Sequence, residues 1–136
     1  MISSAEEFKR LRTSENLEEQ ERSASESADI GVWHEVIQKF PELKEWVVHN
    51  KTIQIEILEY LASDKDEKVR YAIARKRKIN NRIFDMLKSD IDKSVRHALI
   101  CNTKLTSDLK RNIKTDDSDW LKKALKEKIK TGANNV

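Results

Sequence analysis

"ILEYLASDKDEKVRYAIARKRKIN" (residues 57–80) and "IFDMLKSDIDKSVRHALICNTKLT" (residues 83–106) align without a gap at an offset of 26. Leu61 meets Leu87, Ser63 meets Ser89, Asp64 meets Asp90 and Asp66 meets Asp92. Val69 and Arg70 meet Val95 and Arg96, Ala72 meets Ala98, Ile73 meets Leu99 and Ile79 meets Leu105. Agreement at so many slots is an internal repeat. Further on, "LKRNIKTDDSDWLKKALKEKI" keeps the frame, with Ile113, Asp116, Ser118, Leu121, Lys122, Ala124 and Leu125 in matching slots. Going backward, "VWHEVIQKFPELKEWVVHNKTI" fits with its internal loop one residue shorter, so that Leu43, Trp46 and Val47 take the places of Val69, Ala72 and Ile73.

Each unit reads as two helices. The first is apolar at Ile55, Leu58 and Leu61, and the second at Val69, Ala72, Ile73 and the stem of Lys76. Between them Asp66, Asp92 and Ser118 are expected N-caps, each accepting a bond from an otherwise unpaired backbone N–H. Pro41 suits a helix start, where a missing N–H is harmless. Asn50 and Asn102 stand just past the second helix, a place where asparagine tolerates a left-handed backbone.

One such unit cannot bury its own apolar stripe, so neighbours must stack. The expected fold is all-α: a right-handed α-solenoid of about four two-helix repeats of 25–26 residues, closed by N- and C-terminal capping helices. "SSAEEFKRLR" opens the first cap with Ser4 and Glu7 as a capping box, and "DSDWLKKALKEKIK" closes the last. The expected organisation is one domain over residues 1–130. Residues 1–30 form a cap or a degenerate repeat, residues 31–125 the repeats, and residues 131–136 a frayed, disordered tail.

Composition agrees with a thin protein rich in surface. Of the 136 residues, 38% are apolar and 38% charged, against usual shares of about 45–50% and about 25%. A single cysteine, Cys101, allows no internal disulfide, and with three scattered histidines it offers no metal-ligand spacing; no cofactor or metal is expected. "MISSAEEFKR" lacks the apolar run of a signal peptide, and no span-length apolar run follows, so the expectation is a cytoplasmic protein without membrane contact, monomeric when unbound. The net charge of +3 is unevenly spread: residues 1–30 carry 4 basic and 8 acidic groups, residues 31–103 carry 14 and 11, and residues 104–136 carry 9 and 5. That is short of the basic balance of a dedicated nucleic-acid binder.

The period also sorts the polar residues into columns. Lys44, Arg70, Arg96 and Lys122 form a column of cations, with aspartates 64, 90 and 116 in another, and the simplest reading is a ladder of ion pairs within or between repeats. Glu45, Tyr71, His97 and Lys123 fill one line on the outer side of the second helices, and His49, Arg75 and Cys101 the next. These slots differ in every repeat while core slots do not, as on the binding face of a scaffold. The run Arg75, Lys76, Arg77, Lys78 is the turn after a second helix, not basic in its sisters; it reads first as a solvated helix end and second as a contact patch for an anionic partner. Cys101, in a slot held elsewhere by Arg75 and His49, reads as a neutral substitution. Trp33 and Trp46 are expected in the core, whereas Trp120, one residue before an apolar slot, is expected at the surface as a contact or cap.

No Gly-rich phosphate loop is present, since glycine occurs only at Gly31 and Gly132, and His34, His49 and His97 lie in three different repeats, so an enzyme is not expected. A protein-binding module is the leading expectation, with Glu45, His49, Tyr71, Arg75, Lys76, Arg77, Lys78, His97, Cys101, Trp120 and Lys123 as contact residues. The alternative is nucleic-acid binding through the basic turn at 75–78, helped by Arg70, Arg96 and the last lysines.

"LASDKDEKVRYAIARKRKIN" and "LKSDIDKSVRHALICNTKLT" resemble the HEAT-like and variant leucine-rich repeats of bacterial proteins, over Val32 to about Leu125. "WHEVIQKFPELKEWVVHNKTI" is similar to the opening of small stand-alone proteins of that kind, some found beside polymorphic toxins. The resemblance implies a cytoplasmic immunity protein that binds and blocks a toxin. The iron–sulfur relative would need a cysteine cluster that this chain lacks, and the carboxylate and tryptophans of the HEAT-like DNA glycosylases cannot be matched residue by residue.

Overall fold

In the computed structural model, which describes the backbone of residues 1–134 and the side chains of residues 1–130, the chain is all-helical, with no strand among the described residues. The helices are α1 (Ala5–Arg12), α2 (Leu17–Ser25), α3 (Ile30–Lys39), α4 (Lys44–His49), α5 (Ile55–Leu61), α6 (Glu67–Ala74), α7 (Asn81–Leu87), α8 (Lys93–Cys101), α9 (Ser107–Lys110) and α10 (Asp119–Asn134), with a 3-10 turn at Pro41–Leu43 before α4. Helix α10 runs into the stretch expected to fray at residues 131–136; residues 135 and 136 lie outside the described residues. The chain divides into two compact units, Met1–Tyr60 and Leu61–Val136.

The helix starts follow from their caps. Asp66 accepts the Lys68 N–H at 2.9 Å, Asp92 those of Ser94 and Val95 at 2.7 and 3.2 Å, and the Ser118 hydroxyl that of Leu121 at 3.2 Å. The other aspartate of each Asp-x-Asp prepares the turn: Asp64 and Asp90 accept the backbone N–H of Asp66 and Asp92 at 3.0 and 2.9 Å. At α1 the Ser4 hydroxyl accepts the Glu7 N–H, while the Glu7 carboxylate reaches back to Ser3 N–H, one residue further than the capping box predicts.

In the first unit α1 packs on α2 and α3, and α3 on α4. Phe8, Leu11, Trp33, Val36 and Val47 are fully buried, with the Phe8 and Trp33 rings edge to face at 5.2 Å. Trp46 corrects the expectation of a core tryptophan: it is 43% exposed. Its slot holds Ala72 and Ala98 in the other repeats, both nearly buried, and a site closed around a methyl group has no room for an indole. The ring turns outward, with the Arg12 guanidinium 3.9 Å over it and His49 edge-on at 5.8 Å.

In the second unit α6 packs on α8 and α8 on α10, α7 touches α6 and α8, and α9 touches α10. Val69, Ile73, Val95, Leu99 and Leu121 are buried as the frame requires. A slot absent from the sequence reading is buried too, holding Val48, Ala74 and Ile100 in successive repeats. Lys110 falls in the column of Leu58 and Phe84 and, like them, is buried, at 7% exposure.

Two polar devices link successive repeats. The cation column is realised at two rungs of the second unit. Arg70 donates to both carboxylate oxygens of Asp90, at 2.8 and 3.2 Å, and to the Asp64 carbonyl at 2.7 Å. Arg96, fully buried, donates to both oxygens of Asp117 at 2.7 and 2.9 Å and to the Lys114 carbonyl at 2.8 Å. Its partner is thus Asp117 and not Asp116, one residue off the frame. Hydrogen bonding to the Arg96 guanidinium holds the Asp117 carboxyl down from 3.8 to about 2. Because the folded value is the lower one, this group's stabilisation is full above 3.8 and is lost as pH falls towards 2. Acid titration followed by circular dichroism should therefore show a loss of stability in that window, and the Arg96→Met variant should lack that component.

The second device is asparagine. Neither Asn50 nor Asn102 is left-handed; φ and ψ are −61° and 129° in the first, −72° and 112° in the second. Both side chains turn inward instead. The Asn50 amide donates to the Ser23 and Glu26 carbonyls, each at 2.9 Å, and its oxygen accepts the Thr52 N–H at 2.9 Å. The Asn102 amide donates to the Ala74 and Lys76 carbonyls, each at 2.9 Å, and its oxygen accepts the Lys104 N–H at 3.0 Å. Each buried amide thus ties the carbonyls of one helix end to the turn of the next repeat.

Candidate partner-binding ridge

In the second unit, most of the predicted contact residues meet. Tyr71 and Arg75 stand one helical turn apart, with the guanidinium 5.7 Å from the ring centre. On α8, His97 and Cys101 stand the same distance apart in sequence, and the sulfur lies 3.7 Å from Nδ1 and 3.8 Å from Nε2 of the imidazole. The other neighbour of that ring comes from α10: Trp120 stacks on His97 with centroids 4.3 Å apart and planes 11° from parallel. Arg75 and Arg77 join Ala98, Cys101, Asn102 and Thr103 in lining an open cleft of about 250 Å³. Tyr71, Arg75, Arg77, Cys101, His97 and Trp120 therefore form one connected strip.

Exposure is unusual for such residues. Tyr71 is 39% and Trp120 51% exposed, while His97 and Cys101 are half-buried. The stack fixes Trp120 without covering it, leaving a pre-set aromatic face towards solvent.

The remaining predicted residues behave differently. Lys76 is half-buried, and burial, with repulsion from Lys78 second, holds its ammonium below the ordinary lysine range. Partial burial lowers Lys78 in the same direction. Lys123 is exposed on α10. Glu45 and His49 are exposed on α4 of the first unit, where His49 faces Trp46.

Several features escaped the sequence reading. Arg12 over Trp46, and the edge-on pair His34 and Tyr60 at 5.0 Å, add aromatic surface to the first unit. A second open cleft, of about 470 Å³, is lined by Ala62, Ser63, Asp64, Arg70, Met86 and Ile91 among others. Ile91, 90% exposed, occupies the variable place of Ser-Asp-x-Asp held by Lys65 one repeat earlier, and that substitution was the available signal. Among the described residues, no group of three or more His, Cys, Asp or Glu is placed to hold a metal ion, and no helix is long and apolar enough to cross a membrane. Compared with protein-family models, with curated proteins and with solved structures, the chain matches none.

Proposed function

We propose that this chain is a non-catalytic protein-binding module, built as a right-handed α-solenoid of about four HEAT-like repeats, which docks a protein partner along the strip Tyr71, Arg75, Arg77, Cys101, His97 and Trp120. The observation that carries this reading is Trp120, held flat against His97 yet half open to solvent, beside a tyrosine and two arginines. Trp, Tyr and Arg dominate the binding energy of protein interfaces, and a side chain already immobilised loses little entropy on docking. The resemblance to small stand-alone repeat proteins supports a toxin as the partner, blocked by occlusion in the cytoplasm. Nucleic-acid binding is the weaker reading, because Arg70 and Arg96, two of its expected phosphate contacts, are committed to Asp90 and Asp117.

The test is capture from the host lysate with and without nuclease, using the wild type and Trp120→Ala in parallel. A stoichiometric protein should survive nuclease and moderate salt, and Trp120→Ala should weaken its binding by at least about tenfold. If that protein is a toxin, adding the chain should inhibit it. Nucleic acid released by raising salt, with Trp120→Ala unaffected, would overturn the proposal.

A further inference from the structure

The ends of α6 and α8 meet at the cleft of about 250 Å³, and none of the residues lining it is acidic. Residues 68–84, which contain the turn from Arg75 to Lys78, carry seven basic side chains and no acidic one, and residues 93–107 carry three and none. Both walls therefore come from stretches that offer no carboxylate of their own. Five other arginines are paired: Arg10 with Glu19, Arg22 with Glu26, Arg70 with Asp90, Arg96 with Asp117 and Arg111 with Asp108. Among the described residues Arg75 and Arg77 make no ion pair, and Arg75 has the Tyr71 ring as its neighbour.

The crowding of like charge is felt within the turn. Burial first, and repulsion from Lys78 second, hold the Lys76 ammonium below the ordinary lysine range. Lys104, exposed, takes the slot of Lys78 one repeat on and adds a further cation close in sequence to Thr103 of the cleft wall. Such a cluster repels itself in the free protein, and an anion seated beside it relieves that repulsion. At about 250 Å³ the cleft is smaller than the ~300–1,000 Å³ of sites for drug-sized ligands, a scale that suits one short side chain. Guanidinium N–H groups match a carboxylate in plane and spacing, and the Thr103 hydroxyl is a further donor on the same wall.

We infer that the docked protein presents an acidic surface, and that one of its aspartate or glutamate side chains enters this cleft and binds Arg75 and Arg77. The inference rests on the docking reading and adds the chemistry of the partner to it. Tyr71 and Trp120 supply aromatic contact, while the two arginines select for acid and speed the encounter. A nucleic-acid strand is served less well, because it needs a line of free cations and Arg70 and Arg96 are committed to Asp90 and Asp117.

The probe is a polyglutamate peptide, titrated at low salt into the isotope-labelled chain and followed by nuclear magnetic resonance, with an oligothymidylate of equal charge as the nucleic-acid control. Polyglutamate is expected to shift the resonances of Arg75, Arg77 and Thr103 saturably. Arg75→Gln with Arg77→Gln should weaken its binding at least about fivefold. That double variant should melt no lower than the wild type, since it removes repulsion and breaks no ion pair; a clear fall would mean that the arginines are engaged within the fold, against the inference. Trp120→Ala, which tests the docking reading, should leave polyglutamate binding within about twofold of wild type, so the two readings fail separately. Shifts centred on the lysines of α10 and not on the cleft, or oligothymidylate binding the same residues more tightly than polyglutamate, would overturn the inference.

Discussion

Asp117→Ala is expected to destabilise the protein by about 3 kcal/mol, although the side chain removed is 40% exposed. An ordinary surface ion pair is worth roughly 0–1 kcal/mol, and judged by its own exposure Asp117 belongs to that class. Its partner does not. Arg96 is 0% exposed, so removing the carboxylate leaves a buried guanidinium with the Lys114 carbonyl as its remaining bonded acceptor. Among the described residues its Nε already lacks a hydrogen-bond partner. Breaking a buried pair from one side costs roughly 3–5 kcal/mol, and partial solvation at the Asp117 end places this case at the lower limit. At this length such a loss lowers the melting temperature by on the order of 10 °C. Adding Arg96→Met should recover most of it, because methionine fills the volume of the stem and removes the stranded charge. A loss under about 1 kcal/mol for Asp117→Ala would mean that water reaches Arg96 and that the rung is a surface bridge.

Asn102→Ala should cost about 2–3 kcal/mol in urea denaturation, more than a polar residue beyond a helix end ordinarily would. Three hydrogen bonds disappear with the side chain, two from its amide and one to its oxygen. Each is worth about 1 kcal/mol net, and a carbonyl left buried without a donor adds to the loss. Asn102→Asp should be worse than alanine at neutral pH, because it points a carboxylate at the Ala74 and Lys76 carbonyls in place of a donor. The difference should shrink as pH falls and the new acid recovers an O–H to donate. Aspartate tolerated as well as asparagine would show that those carbonyls do not depend on the amide.

The legible parts of this structure are those that repeat. A period of 26 residues places Asp66, Asp92 and Ser118 before three helices, and each is the cap it promises to be. The same frame puts Tyr71 and His97, and Arg75 and Cys101, in adjacent lines, and most of that group does meet. What a frame cannot supply is size and direction. It assigns Trp46 to a core slot, but the slot is built for alanine. It offers Arg96 an aspartate at 116, but the guanidinium bonds its neighbour at 117. Asn50 and Asn102 were readable as turn residues because their neighbours in sequence are visible, while the carbonyls they bind lie a full repeat away. The His97 and Trp120 stack was hidden for the same reason, since the two rings come from different repeats and Trp120 stands outside the columns.

The asparagine and arginine links also bear on how fast the chain can fold. Asn50 reaches back 27 and 24 residues, Asn102 reaches back 28 and 26, and the two arginines reach forward 20 and 21 to their aspartates. Each closes a loop of about one repeat, and the entropy of closing it grows only with the logarithm of that length. None of these bonds waits for the two ends of the chain to find each other. As the polypeptide leaves the ribosome, each new stretch of twenty-odd residues brings the partner its predecessor needs. Rapid folding that advances in step with synthesis is the expected kinetic signature.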